Sequence, residues 1–221
     1  MIKNPLINVL TRTSSRPKGF EICVNSVRNQ TYTNINHIIS YDDDKDLEYI
    51  KNFNVKKIKI NKDNLIKNYT GEKFNNPNFW FSPHNLYCNV LLNEVSDGWI
   101  MFLDDDDMLT DKYVIEKIVN NISDNNTMII WQMKYPNGRV LPNENSFSSK
   151  KISLGSIGSP CYTFHSKWKK NYEWDAYKCG DFRYLEKIYN TIPNKKWIKE
   201  PLITLNNFGG HGLKKDVLNM G

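Results

Sequence analysis

The chain has 221 residues, of which 39% are hydrophobic and 13% aromatic. It is long enough for one substantial core and too apolar to be disordered throughout. Its formal net charge of +6 and pI near 9.0 suit anionic ligands such as nucleotide phosphates, nucleic acid or an acidic membrane surface. The lysines lie in short scattered clusters that do not alternate with aromatic residues. This pattern argues against a nucleic-acid groove, so we expect no nucleic-acid partner.

The four cysteines are far apart in the sequence and show no C-x-x-C spacing. Their pattern predicts thiols in a reducing compartment and argues against a zinc site or a disulfide framework. The N-terminal residues lack a signal-peptide pattern, and no apolar run approaches membrane-spanning length. We therefore expect a soluble cytoplasmic protein without a transmembrane segment, and leave open peripheral contact with a membrane surface through basic residues.

The N-terminal part of the chain alternates between strand-like and helix-like patterns of apolar residues. In chain order these are a strand at 6–10, a helix at 19–29, a strand at 37–41, a helix from 46 and a strand at 55–60. This alternation predicts an α/β protein with a central, mostly parallel sheet flanked by helices. Ligands of such sheets bind beyond the carboxyl ends of the strands. The sequence places polar clusters at three of these ends: 11–16, 42–44 and 104–107.

The remainder of the chain begins with an aromatic, Asn- and Pro-rich stretch at 68–84, which predicts a loop that is either functional or packed on the surface. After it the patterns predict a helix at 85–95, a strand at 99–103, a helix at 113–122, a strand at 127–135 followed by a hairpin, and a helix at 181–189. We expect a single domain over 1–221, with a nucleotide-binding half up to roughly residue 110 and an acceptor-binding half after it.

Four consecutive aspartates, Asp104–Asp107, directly follow the apolar run Trp99–Leu103. Adjacent carboxylates repel one another, and a hard divalent cation would relieve that repulsion. The alternate carboxylates Asp104 and Asp106 can hold Mg²⁺ or Mn²⁺, with water and substrate phosphates completing the shell. The competing interpretation is a solvated turn that caps the helix beginning near Thr110.

Two other polar clusters offer groups that suit a nucleotide. Asp42 can accept hydrogen bonds from a base or a ribose, and Thr11 and Arg16 follow the first strand, where they could bind the polar edge or the phosphate of a nucleotide. Surface solvation and helix capping are the alternative roles of Thr11 and Arg16. The clusters together predict a metal-assisted nucleotide site.

An ordered set of motifs resembles the family 2 glycosyltransferases of the GT-A fold. Ser26–Tyr32 matches S-x-x-x-Q-T-Y, Asp42 follows the second strand, and Leu103–Asp107 matches L-D-x-D-D, the metal motif. Cys179–Tyr184 further resembles the segment that holds the catalytic base in the spore-coat polysaccharide type of this family. The resemblance covers roughly residues 5 to 190.

The resemblance implies an inverting glycosyltransferase of the hexosyltransferase type that uses a nucleotide-sugar donor, with a UDP-sugar favoured, and Mn²⁺ or Mg²⁺ as cofactor. The implied donor site has Thr11 and Asp42 at the nucleobase, Asp104 at the ribose and Asp106 at the metal that bridges the diphosphate. From their places in the polar clusters, Arg16 and Asp105 are also expected among the cofactor-binding residues, with Asp105, like Asp107, in a mainly structural role. The donor sugar and the base stay open, because the basic residue expected near the base is not singled out among Lys62, Lys67, Lys73 and His84.

Asp181 would, by the same resemblance, deprotonate the acceptor hydroxyl as it attacks the anomeric carbon. Its alternative role is the N-cap of the following helix. His211, in the glycine-rich tail, would complete the metal shell or close over the diphosphate, and its alternative is a mobile polar residue. The acceptor would be a hydroxyl of a glycan or of a lipid-linked or protein-linked molecule in glycan synthesis.

Two other functions remain open at this level. One is a catalytically silent GT-A module that binds sugar nucleotides or glycans, and the other is a metal-dependent phosphohydrolase or nucleotidyltransferase, which also needs clustered aspartates. The sequence contains neither G-x-G-x-x-G nor G-x-x-x-x-G-K-[ST], which excludes a dinucleotide-binding fingerprint and a P-loop.

Overall fold

The computed structural model describes residues 4–206, except for the side chain of Asn171. Nine strands in this part of the chain form one sheet. They are β1 Ile7–Arg12, β2 Ile35–Tyr41, β3 Lys56–Lys59, β4 Trp99–Phe102, β5 Asp107–Leu109, β6 Thr127–Lys134, β7 Val140–Leu141, β8 Tyr162–His165 and β9 Asn194–Leu205.

Helices connect these strands and cover the sheet. They are α1 Pro17–Arg28, α2 Leu47–Ile50, α3 Lys62–Lys67, α4 Leu86–Asn93, α5 Val114–Val119, α6 Glu144–Ser149 and α7 Gly180–Thr191. Short 3-10 helices are found at Pro83–Asn85, Ser159–Cys161 and Ser166–Asn171.

The sheet changes character along its width. Its strand order is β3-β2-β1-β4-β8-β6-β9-β5, and β7 pairs with β6. The four strands from β3 to β4 are parallel, whereas β8 runs antiparallel to β4 and the strands beyond it are mixed in direction. The α/β class with a helix-flanked sheet is confirmed, and the parallel order is a property of the N-terminal strands.

Strands β1 and β4 form the centre of the core because they are buried on both faces. All four residues of β4 and five of the six residues of β1 are buried, as expected of parallel strands covered on two sides. Helix α1 begins at Pro17, whose fixed φ suits a first turn. Its apolar stripe, at a helical period, buries Phe20, Cys23, Val24 and Val27.

The predicted and observed elements differ mainly in the C-terminal half. The helix predicted from residue 46 is only the four-residue α2. Strands β8 and β9 had no predicted counterpart. Strand β8 has only four residues, and β9 is rich in lysine and partly exposed along much of its length. Such strands are stabilised by their partners in the sheet more than by their own apolar pattern.

All four cysteines are free thiols, and three of them are buried. Among residues 4–206, no helix has the length and apolar character that crossing a membrane requires.

Candidate functional site

The loops that follow β1, β2 and β4 lie at one edge of the sheet, because the three strands are parallel and adjacent. These loops carry residues 13–16, Asp42 and Asp104–Asp106. The predicted site residues of the acidic cluster are therefore brought to the same edge, where the side chains of two arginines, Arg12 and Arg16, contact them.

Arg16 bridges two carboxylates. Its Nη1 lies 2.9 Å from Asp105 Oδ1 and 2.9 Å from Asp106 Oδ2. Asp105 also accepts hydrogen bonds from Thr13 Oγ1 at 2.7 Å and from the Ser14 backbone N–H at 3.3 Å. Burial raises the pKa of Asp105 to about 7, against the opposing effects of Arg16 and Thr13. Asp105 is thus enclosed and anchors the loop after β1.

Arg12, the last residue of β1, belongs to the site although the sequence analysis did not select it. Its Nη2 and Nε lie 3.3 and 3.4 Å from Asp104 Oδ1. Its Nη1 donates to Asn85 Oδ1 at 3.3 Å and to the His84 carbonyl oxygen at 3.4 Å. The guanidinium carbon lies 5.8 Å from the centre of the Trp174 ring, within reach of a cation–π interaction. These contacts hold a fixed positive charge beside Asp104.

Asn85 connects Arg12 to the start of α7. The Asn85 side-chain amide donates to the Tyr177 carbonyl oxygen at 2.7 Å, while its oxygen accepts from Arg12. Gly180, the first residue of α7, packs so closely that a Cβ atom there would lie 2.8 Å from Asn85 Nδ2. The first turn of α7 therefore packs against Asn85 at a distance that only glycine permits, and Asn85 in turn contacts Arg12 at the end of β1.

Asp181 is the second residue of α7 and lies in the same cluster. Burial raises the pKa of Asp181, the Phe182 N–H and the positive charge of Arg12 lower it, and the negative charge of Asp104 raises it again. The N-cap position is occupied by Cys179, with φ of 64°, so the alternative role of Asp181 as the N-cap is wrong. The structure thus brings Asp181 together with Arg12 and Asp104.

Thr11 and Asp42 occupy different environments. The Thr11 side chain is buried, and its Oγ1 lies 3.0 Å from His37 Nε2, so the hydroxyl is directed into the core. This corrects its predicted contact with a nucleobase: β1 continues through residue 12, two residues beyond the predicted strand, which places Thr11 inside the sheet. Asp42 is partly exposed, and its Oδ2 accepts a hydrogen bond from the Tyr87 hydroxyl at 2.7 Å.

His84, one of the four basic residues considered for the nucleobase, borders the cluster, because its carbonyl oxygen accepts a hydrogen bond from Arg12. The residue is exposed. The pKa of His84 is lowered to about 4 by loss of solvent on its packed side and by the positive charge of Arg12. The imidazole is therefore neutral at pH 7 and can both donate and accept hydrogen bonds.

The acidic cluster has more carboxyl groups than cations. The carboxylates of Asp104, Asp105 and Asp106 contact the guanidinium groups of Arg12 and Arg16, and Asp107 is buried next to these carboxylates. Burial raises the pKa of Asp106 to about 6, and burial together with the neighbouring carboxylates raises the pKa of Asp107 well above its usual range. A divalent cation fits this excess of negative charge.

The ligands for such a cation would come mostly from outside the protein. Within residues 4–206, no three ligating side chains converge on one point. Asp104 and Asp106 could hold Mg²⁺ or Mn²⁺ together with oxygen atoms of a phosphate and of water, which is the usual arrangement for ions bound with nucleotides. His211, the third predicted ligand, lies outside the described residues.

Comparison with solved structures identifies the fold. S. aureus TarS 1–349 matches with a TM-score of 0.67 and 16% identity over 91% of this chain and 60% of that one. Its complex with UDP-GlcNAc gives a TM-score of 0.66, 16% identity, and coverage of 90% and 58%. The mannosyltransferase PcManGT from Pyrobaculum calidifontis, in complex with GDP-Man and Mn²⁺, gives a TM-score of 0.64, 10% identity, and coverage of 94% and 58%.

These neighbours are glycosyltransferases of the GT-A type, so the chain has the GT-A fold, as predicted. It spans 58–60% of the length of these three chains. No family model and no curated protein matches the sequence.

Proposed function

We propose that the protein is a metal-dependent, inverting glycosyltransferase of family 2, similar to the spore-coat polysaccharide type, that transfers a sugar from a nucleotide-sugar donor to an acceptor hydroxyl. The observation that carries the proposal is the cluster of Asp104, Arg12 and Asp181 at the carboxyl edge of a GT-A sheet. The partly exposed carboxylate of Asp104 suits binding of a donor, and the buried carboxylate of Asp181 suits removal of a proton. The guanidinium group of Arg12 lies beside both.

Asp104 and Asp42 have the exposure that donor binding needs. The Asp104 side chain is 34% exposed, so its free oxygen can accept hydrogen bonds from ribose hydroxyls. Asp42 is fixed by Tyr87 and partly exposed, which suits the edge of a nucleobase. A UDP-sugar is the favoured donor, and the similarity to TarS, crystallised with UDP-GlcNAc, supports it. Because the similar mannosyltransferase was crystallised with GDP-Man, GDP-sugars should be tested as donors beside UDP-sugars.

Asp106, with Asp104, would hold Mn²⁺ or Mg²⁺ at the donor diphosphate. When bound, the ion would neutralise negative charge that builds on the departing nucleoside diphosphate. The similarity to a mannosyltransferase crystallised with Mn²⁺ supports this assignment. Arg16 already occupies one side of Asp106 and fixes the direction of its carboxylate.

Asp181 would act as the general base. Burial raises the pKa of Asp181 and so makes its carboxylate a stronger base, and the positive charge of Arg12 opposes that rise. The acceptor oxygen forms a bond to the anomeric carbon, its proton passes to Asp181, and the bond to the diphosphate oxygen breaks with its electron pair. One such displacement inverts the anomeric configuration. The acceptor is a hydroxyl of a glycan, or of a lipid-linked or protein-linked molecule.

The test measures binding and turnover separately in Asp181→Asn. We expect UDP-sugars to raise the melting temperature of wild type and of the variant equally in the presence of Mn²⁺. Release of the nucleoside diphosphate should fall by about 10²–10⁴-fold in the variant, the usual contribution of a general base. Glu186→Gln, at an exposed position of the same helix, is the matched control and should keep wild-type turnover.

Other outcomes identify the competing functions. Binding of nucleotide sugars with no turnover in the wild type would indicate a binding module. Release of a nucleoside monophosphate, or transfer of a nucleotidyl group, would indicate a phosphohydrolase or a nucleotidyltransferase. Either result contradicts the proposal.

A further inference from the structure

Two adjacent aromatic residues are exposed close to the segment that precedes Asp181. Trp80 is 53% exposed and Phe81 is 45% exposed. Among the described residues, only Leu47, Tyr113 and Leu154 are other large hydrophobic residues of comparable exposure. Adjacent aromatic residues left in water beside a reaction site usually mark a surface that a ligand covers.

The backbone pairs this aromatic stretch with the segment before α7. Phe81 forms an isolated antiparallel bridge with Tyr177. The Lys178 N–H donates to the Trp80 carbonyl oxygen at 2.9 Å, and the Phe81 ring lies 5.5 Å from the Tyr177 ring in an edge-on arrangement. We call Trp80, Phe81, Tyr177 and Lys178 the aromatic shelf.

Arg183 of helix α7 contacts the aromatic shelf through Phe74. Arg183 forms a two-point ion pair with Asp175, at 2.6 and 2.7 Å. Its guanidinium carbon lies 4.4 Å from the centre of the Phe74 ring, which in turn packs on Tyr177 at 5.3 Å. Because Arg183 is two residues from Asp181 on the same helix, the shelf and the proposed base are parts of one fixed unit.

The chemistry of the aromatic shelf suits a sugar ring. The face of an aromatic ring carries partial negative charge, and it attracts the partly positive C–H groups on the apolar face of a pyranose. Lys178 Nζ lies 3.9 Å from the centre of the Trp80 ring and covers one face of it. That ammonium group also offers hydrogen bonds to hydroxyl groups at the rim of a stacked sugar.

The separation from Asp181 is within reach of one acceptor molecule. Counting about 3.8 Å per residue from 178 to 181 and about 5 Å across the paired segments, the Cα atoms of Trp80 and Asp181 are at most about 16 Å apart. A short oligosaccharide covers even this upper limit, so one glycan can contact the shelf and present a hydroxyl to Asp181.

We propose that the aromatic shelf is an acceptor subsite, where Trp80 stacks on a sugar ring of an oligosaccharide whose terminal hydroxyl reaches Asp181. This inference rests on the proposed function, because it assigns the acceptor of that same site. It commits the acceptor to a carbohydrate chain of more than one unit.

The test uses an array of oligosaccharides, from mono- to tetrasaccharides, as the probe for direct binding. Trp80→Ala and Phe81→Ala are compared with Tyr113→Ala, a matched aromatic residue that is 46% exposed and lies at the start of α5. We expect wild type and Tyr113→Ala to retain the longer glycans, and Trp80→Ala to bind them about tenfold more weakly. Nucleotide binding with Mn²⁺ should be the same in all four proteins, which also shows that the variants are folded.

Three results would overturn the inference. They are equal glycan binding by Trp80→Ala and wild type, equal binding of mono- and tetrasaccharides by the wild type, and no glycan binding by a wild type that binds nucleotide sugars. In each of these cases nucleotide binding and donor turnover still stand, so the proposed function survives. Loss of both in the wild type would instead contradict the proposed function.

Discussion

Replacing Arg16 by methionine tests whether the ion pairs of this residue hold the acidic cluster together. The side chains of Arg16, Asp105 and Asp106 are only 10%, 6% and 15% exposed. Methionine keeps much of the apolar stem and leaves two buried carboxylates without their cation. Breaking a buried pair from one side costs about 3–5 kcal/mol. For a chain of this size, that loss lowers the melting temperature by about 6–20 °C.

The measurement is urea denaturation at neutral pH in the presence of a chelator, followed by circular dichroism. Lys199→Met is the matched control, because it removes an equally short pair, 2.7 Å to Glu144, whose side chains are 59% and 67% exposed. We expect the control to lose less than about 1 kcal/mol, since exposed pairs contribute little. Equal losses in the two variants would refute the reasoning, because the carboxylates would then be satisfied without Arg16.

Two further expectations concern packing and pH. Gly180→Ala should destabilise the fold by about 1–3 kcal/mol in urea denaturation, because the new Cβ would lie 2.8 Å from both Asn85 Nδ2 and the Asp175 carbonyl oxygen. The control Glu186→Ala, at an exposed position of the same helix, should change the urea midpoint little. Burial lowers the pKa of His37 from 6.5 to about 3. Below pH 6.5 the unfolded state therefore binds a proton that the folded state does not bind, and the free energy of unfolding falls as the pH drops from 6.5 towards 3. Wild type should lose about 2 kcal/mol more than His37→Gln between about pH 7 and about pH 5, and equal losses, or an imidazole that NMR shows protonated near pH 5, would contradict this.

The sequence predicted the parallel half of the fold because its strands are continuous apolar runs. The run at 99–103 and the helical stripe before Asn29 both need burial whatever the rest of the chain does. Strands β8 and β9 were missed for the opposite reason. Their pattern is weak, and their place is decided by pairing with β4 and β6, which are distant in sequence.

The acidic residues of the candidate site and Arg16 were predicted from the sequence, but Arg12 was missed. Four adjacent aspartates are visible in any reading of the sequence, whereas Arg12 is a single arginine among many cations. Its role depends on the register that pairs Leu10 with Phe102 and so sets Arg12 beside Asp104. Thr11 was misplaced because the predicted strand ended two residues too early. A residue that was expected in the loop after β1 is therefore a buried residue of the strand.

The position of β4 between β1 and β8 has a consequence for how the chain can fold. Its pairing with β1 joins residues such as Ile7 and Trp99, and its other side stays open until residues 162–165 arrive. A fragment that stopped near residue 110 would contain Arg12, Asp42 and all four aspartates, yet it would present an unpaired apolar strand to solvent, a template for aggregation. Contacts this far apart in sequence also predict slow folding. The N-terminal part up to residue 110 is thus not a module that could be excised, and the proposed nucleotide binding should appear only after most of the chain has been synthesised.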